Sequence, residues 1–472
     1  MKRIVTLLLA AGLVFGAFGG AQAADIKVKG QWDFNFEFLD NTNFQSGEHD
    51  EKSEDDFAGK QRLRTQIDIV ASESLSGTVY FEMGDTIWGK EDGALGADGK
   101  VVEVKRSYID WIVPNTDLKV RMGIQGLALP GGVAGSPVMD DDVAAITMSY
   151  AFNDMVAATA FWARPYDTGA DDTGTIKNAF DEMDVFGLIV PVTLDGMKIT
   201  PWGAYSSIGK NINPGDVNDT TNPYNTSSAK YALEGLRPAK LPTASSAFDK
   251  DTTAWWGGLS YELSMFDPIR FKMDGVYGSV QADSEEWERS GWLVIGSLDY
   301  KMSMMTPGLF AWYGSGDDDD ANNGSERMPY ISPSDFGPTS FGFERAGAAS
   351  LGTDALLSAS GAGTWGIGLQ LADISFIESL KHTLRVAYIK GTNDAAMAKE
   401  ISYNPARSGN GLYLTDEDSA WEVNFDHTYN IYENLALIVE MGYIKADLDE
   451  DTWNQKEFDD AMKLGFNLKY SF

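Results

Sequence analysis

The chain contains no cysteine in 472 residues. Disulfides, thiolate metal sites and thiol nucleophiles are excluded, so whatever holds this chain together does so without covalent cross-links. Histidine is nearly absent as well, with only His49, His382 and His427. None stands in a nucleophile–base pattern or at metal-ligand spacing. No G-x-S-x-G, phosphate-binding glycine loop or H-E-x-x-H occurs either, so an enzyme is not expected. Basic residues are few, 37 against 70 acidic for a net charge of −33, which argues against a nucleic-acid partner. Long apolar runs are missing too. The one candidate, residues 4–18, follows Lys2 and Arg3 and leads into Ala21-Gln22-Ala23. It is too short to span a bilayer well and reads as a secretory signal, residues 1–23, cleaved after Ala23. No proline- or serine-rich linker divides the rest, so residues 24–472 read as one domain.

What is present is alternation. At the C-terminus Met462, Leu464, Phe466, Leu468, Tyr470 and Phe472 form one face, and Lys463, Gly465, Asn467, Lys469 and Ser471 form the other. A period of two belongs to a strand whose faces meet different surroundings. The same pattern opens the mature chain, where Trp32, Phe34, Phe36 and Phe38 alternate with Gln31, Asp33, Asn35 and Glu37. It returns in Leu118, Val120, Met122 and Ile124 opposite Lys119 and Arg121, and in Trp421, Val423 and Phe425 opposite Glu422, Asn424 and Asp426. Charged groups facing lipid cost a few kcal/mol near the midplane, so the polar faces are expected to line a wet interior.

Short links near 72–74, 114–117, 153–154, 194–196, 264–267, 301–304, 375–379 and 430–434 alternate with long polar ones. The layout predicts an all-β fold: a transmembrane, antiparallel, up-and-down β-barrel of 18 strands, with 16 as the alternative. Short turns would lie at the periplasmic rim and long loops at the extracellular one. Residues 156–163 and 291–298 fit less well, being apolar on both faces, and Pro201 and Pro307 fall in or near strands where they remove a ladder donor. Short helices are expected within the two longest loops, near 229–236 and 344–358.

With these features, and with an aromatic Phe472 closing the last strand, the chain resembles the outer-membrane porins of Gram-negative bacteria. Its loop lengths and acidity are most similar to the homotrimeric porins of sulphate-reducing bacteria. The resemblance implies an outer-membrane location, among outer-membrane lipid and lipopolysaccharide, and association as a homotrimer. It implies passive diffusion of small hydrophilic solutes and ions, and Tyr470 and Phe472 as the signal read by the barrel-insertion machinery. It also implies a third loop, about 126–142, folded into the lumen opposite a basic wall. That loop is apolar and small over Leu127 to Gly135 and ends in Asp140, Asp141 and Asp142. The wall candidates are Arg62, Arg64, Arg106, Lys119 and Arg121, which together with the three aspartates would form the pore constriction.

The blander alternatives are that these basic groups solvate the lumen or pair with Asp68 and Asp110, and that the aspartates lie at the outer rim. The apolar segment 156–163 offers a seat for the folded loop. A solute-selective channel, for a sugar or a small anion such as sulphate, is the alternative function. Tyr80, Tyr108 and Trp256 at lumen positions are too few to mark a sugar slide. A closed structural barrel is a third reading. The acidic loops imply weak cation preference. No cofactor is expected beyond loosely bound calcium at acidic loops, since Asp317 to Gly324 lacks the glycine and glutamate of an EF-hand.

Overall fold

The computed structural model describes residues 24–44, 56–90, 93–96, 101–167, 182–209, 235–240, 252–334, 336–343, 355–401, 411–454 and 458–472. The expected leader 1–23, His49, and residues 229–234 and 344–354 of the two expected helices lie outside the described residues. The described remainder of those two helices is turn or irregular.

The strands are β1 (Asp25–Asp40), β2 (Asp56–Ser72), β3 (Leu75–Ile87), β4 (Glu103–Ile112), β5 (Lys119–Ala128), β6 (Asp140–Ala151), β7 (Ala157–Asp167), β8 (Glu182–Ile189), β9 (Val192–Leu194) and β10 (Met197–Ile208). They continue with β11 (Thr252–Phe266), β12 (Ile269–Gln281), β13 (Arg289–Tyr300), β14 (Thr306–Gly314), β15 (Thr364–Ile377), β16 (Leu380–Gly391), β17 (Ser419–Tyr432), β18 (Leu435–Asp447) and β19 (Ala461–Ser471). Successive strands pair antiparallel, and β19 returns to β1, with Gln31 opposite Ser471 and Asp40 opposite Met462. The sheet is a closed barrel.

Nineteen segments make 18 barrel strands because β8 and β9 share one place, both pairing with β10. The break falls at Val190 and Pro191, alongside Pro201 of β10. Proline on both strands removes ladder donors at one level, and Val190 N–H reaches Pro201 O instead, at 3.0 Å. Of the two prolines expected to disturb the ladder, Pro201 lies beside this break, whose other proline, Pro191, was not expected, and Pro307 sits within an unbroken β14 opposite Leu371; the strand count is unchanged. At the short-turn rim, Asn115 (φ 61°) and Gly196 (φ 67°) take the left-handed conformation that tight turns require.

Alternation sorts the residues as expected on the outside. Exposed apolar side chains cover the exterior, Leu369 on β15 at 63 % among them. Toward the long-loop rim an aromatic row runs around the wall. Its ring pairs Trp255–Tyr277, Trp292–Tyr313, Trp365–Tyr388 and Tyr388–Trp421 lie 4.9–5.7 Å apart. Trp111, Phe266, Tyr300, Tyr432 and Phe472 mark the other rim. An apolar band between two aromatic girdles, on a sheet with no free edge, is what a bilayer demands of a β structure.

The interior departs from the expectation of a bore that is polar throughout. It is polar along β1–β5, whereas the inner faces of β7 and β10–β14 carry buried Phe161, Trp202, Trp256, Val276, Leu293, Ile295, Phe310 and Trp312. Two loops cover this apolar arc. Pro130, Ala134 and Pro137 of loop 129–139 meet Trp202, Val276, Leu293 and Ile295. Phe336 and Phe343 of loop 315–363 meet Trp312 edge-on, at 5.5 and 5.2 Å. The seat of loop 129–139 is thus the doubly apolar segment 291–298 and its neighbours β10 and β12. It is not segment 156–163, because the loop crosses the lumen before it packs. Several inner aromatics lie flat on a glycine paired across the ladder, Trp202 on Gly258, Trp256 on Gly278 and Trp312 on Gly366, where any Cβ would collide with the ring.

Candidate functional site

The β5–β6 hairpin builds the site by leaving the wall. The β4–β5 ladder ends at Ser107 opposite Ile124, whereas β5 stays paired with β6 as far as Ala128 opposite Asp140. The upper hairpin is therefore free of β4, and the chain between, 129–139, runs inward. Its boundaries correct the expected 126–142. Asp140, Asp141 and Asp142 are the first residues of β6, not the end of a loop, because Leu129 N–H to Met139 O (2.8 Å) already closes the loop before them. Beyond, Gly132 N–H and Val133 N–H both donate to the Asp274 carboxylate on β12, at 2.8 and 2.7 Å.

Asp142 faces the freed edge of β4. Arg106 Nε donates to its carboxylate at 2.5 Å, and Lys105 Nζ lies 2.9 Å from it. Arg106 also sits over the Tyr80 ring, 5.6 Å from its centroid. Toward the long-loop ends of β2 and β3, Arg64 donates to Glu82 at 2.5 Å and Arg62 to Asp85 at 3.4 Å. These side chains are part-exposed on the polar arc. Such pairs contribute little net stability, but they hold the cations in fixed places on the wall. Loop and wall thus bring opposite charges together beside a low-dielectric partition, where the field is focused.

The expected constriction residues divide. Arg106 and Asp142 meet. Arg62 and Arg64 stand on the same wall with partners on β3. Asp141 turns elsewhere and accepts from Ser332 Oγ at 2.8 Å, and the exposed Asp140 donates its N–H to Ser332 O at 2.7 Å. Lys119 and Arg121 lie near the short-turn rim, since Lys119 opposes Ile112 at the end of β4. There Arg121 makes two 2.8 Å bonds to Asp110 and stacks 4.1 Å from the Tyr108 centroid, and Lys119 lies 3.5 Å from the same carboxylate. The pairing with Asp110, held as the blander alternative, is the one observed. Trp256 does point inward, but its indole N–H donates to Pro329 O at 2.8 Å beneath loop 315–363, so it does not line water.

Lys105 and Glu82 belong to the site and were not expected. Strict alternation turns Lys105 outward. A bulge between Tyr80–Arg106 and Phe81–Val104 leaves Lys105 as the extra residue and lets it reach Asp142 beside Arg106. The bulge had no sequence signal. Glu82 sits opposite Arg64, but a register shift between Val70 and Ser72 separates that pair from the short turn, and counting back from the turn would have placed Met83 there instead.

No protein-family model matches the chain, and no curated protein matches it by sequence. Solved structures do match. Over 95 % of this chain and 99 % of that one, the chain is similar to OccK9 (OpdG) of Pseudomonas aeruginosa, with 12 % identity and a TM-score of 0.54. It is similar to the outer membrane protein OprD of the same organism over 96 % and 97 % of the two chains, with 11 % identity and a TM-score of 0.52. For OpdL the figures are 95 %, 99 %, 11 % and 0.51. At this identity the likeness is one of fold, an antiparallel barrel over nearly the full length of both chains.

Proposed function

We propose that the chain is an outer-membrane porin of a Gram-negative bacterium. It forms a water-filled channel through which small hydrophilic solutes and ions diffuse passively. One observation carries the reading: an apolar exterior encloses a charged, part-exposed arc on β2–β4, faced by a hairpin that has left the wall. A closed structural barrel would have no use for paired charges along one inner arc. In this reading the leader is removed near Ala23, and Tyr470 and Phe472 address the insertion machinery. The barrel sits among lipid and lipopolysaccharide as a homotrimer. Calcium at the acidic loops acts only as a counter-ion. Nothing in the proposal calls for catalysis.

Solute selectivity is the second reading. Its support is the ordered stacking of Arg106 on Tyr80 and Arg121 on Tyr108, which presents guanidinium groups in fixed poses at two depths. Conductance across a planar bilayer tests both readings. Discrete open steps with weak cation preference in a salt gradient are expected. A silent or freely water-soluble protein would refute the channel. Saturating block of the ion current by sulphate or a sugar would favour the second reading over the first. Arg62→Ala with Arg64→Ala is expected to raise conductance or move the reversal potential, and an unchanged pair would remove both residues from the path.

A further inference from the structure

Two loops far apart in the sequence are joined inside the barrel. Ile331 N–H and Ser332 N–H donate to Val138 O at 2.9 and 3.1 Å, Ser334 N–H to Ser136 O at 3.0 Å, and Gly337 N–H to Ala134 O at 3.2 Å. The joined piece lies against the apolar arc described above, and further attachments bear on its course. It springs from the β5–β6 hairpin. On β12 it is held by Asp274, 5 % exposed, whose two oxygens accept Gly132 N–H and Val133 N–H while Lys272 Nζ donates to Gly132 O at 3.1 Å. On β17 it is held by Glu422, 0 % exposed, whose Oε1 accepts Phe341 N–H and Gly342 N–H at 3.2 and 3.1 Å. Lys463 Nζ of β19 also donates to Ser340 O at 3.1 Å and Phe341 lies against Gly442 of β18, so the arc these attachments leave runs from β1 to β4, and that arc contains the charged pairs.

Apolar packing alone would let such a brace slide, because dispersion contacts are non-directional. The two carboxylates are directional, and both act on main-chain N–H groups, so they fix position whatever the side chains of the loop. Each carboxyl gathers two adjacent main-chain N–H groups onto itself, a geometry that a shifted loop could not keep. We infer that Asp274 and Glu422 are positioning residues that hold the brace off the charged arc and thereby set the calibre of the passage. The inference rests on the channel reading above and adds to it the identity of the anchors.

The test uses the absence of cysteine. Asp274→Ala releases the tip of loop 129–139, and a unit conductance changed by about two-fold or more, with broadened steps, is expected in planar bilayers. The substitution also removes a charge, so position is separated from charge by a covalent substitute. A Cβ built on Gly132 lies 3.0 Å from Ser260 Oγ, which brings the two Cβ atoms within disulfide range. In the Asp274→Ala background, Gly132→Cys with Ser260→Cys should restore wild-type conductance when oxidised and lose it again on reduction. Glu422→Gln tests the second anchor, with folding of every variant checked by heat-modifiable gel mobility. If Asp274→Ala cannot fold, the comparison is made with Asp274→Asn, for which a smaller change in the same direction is expected. Variants that fold and conduct as wild type, or a disulfide whose redox state changes nothing, overturn the inference and leave the channel intact. A wild-type barrel that does not conduct overturns both.

Discussion

Asp418 illustrates what one buried carboxylate does at the loop-bearing rim. It lies outside the strands, just before β17, and accepts from Thr415 N–H and Oγ–H at 2.7 Å, from Asp449 N–H at 2.9 Å and from Trp453 Nε1–H at 3.0 Å. Burial nevertheless outweighs these donors and raises its pKa above the ordinary 3.8. A carboxyl shifted upward binds its proton more tightly in the folded state. Its stabilising contribution is present below the ordinary value and is lost as the pH rises through the folded one. Amide exchange of residues 411–418, corrected for its intrinsic pH dependence, is therefore expected to speed up as the pH rises past that point. Asp418→Asn should flatten the effect, and an unchanged profile would contradict it. At this scale the sequence was a partial guide. Arg106 and Asp142 were both expected at the constriction, and they meet although one stands on β4 and the other on β6. Lys105 was not, since a bulge reverses the direction of a side chain without altering composition.

The strands themselves were readable, because two-sided surroundings write a period of two into the residues. The inner aromatic–glycine pairs were not, since they depend on register between strands rather than on order along one. Gly366→Val is expected to force the Trp312 ring off its seat, at a cost of about 1–3 kcal/mol, the usual range for overpacking. Urea titration of folding into lipid vesicles measures it, and a loss near zero would mean the ring has room to move. The inward course of loop 315–363 escaped notice for a similar reason. Its Phe336, Phe341 and Phe343 are an unremarkable scatter in a long polar segment, and only the opposite wall explains where they go, Phe336 and Phe343 to Trp312 of β14 and Phe341 to Gly442 of β18. The small, apolar loop 129–139 announced itself because its whole composition differs from the other loops.

At the scale of the molecule, the barrel followed from link lengths and from charge placement. The strand number came out correctly even though two prolines divide one strand. Leu369→Arg places a charge on the exposed face of β15 and is expected to lower stability in a bilayer by about 2–4 kcal/mol if it lies near the midplane. Reversible unfolding in lipid would record this, and a neutral effect would mean that β15 does not face hydrocarbon. The polarity of the bore was misjudged because a strand buried under a loop and a strand facing lipid both read as apolar, and nothing local distinguishes them.

The seam has its own consequence. Gly30 and Phe472 exchange both main-chain hydrogen bonds, at 2.8 and 3.0 Å, so the ring shuts on its final residue. A chain cut short by even one strand would present two raw borders, β1 and β18, to a medium with no water to satisfy them. Such a barrel has no half-built form that a membrane can tolerate, so the whole chain must be made before any of it can be sealed.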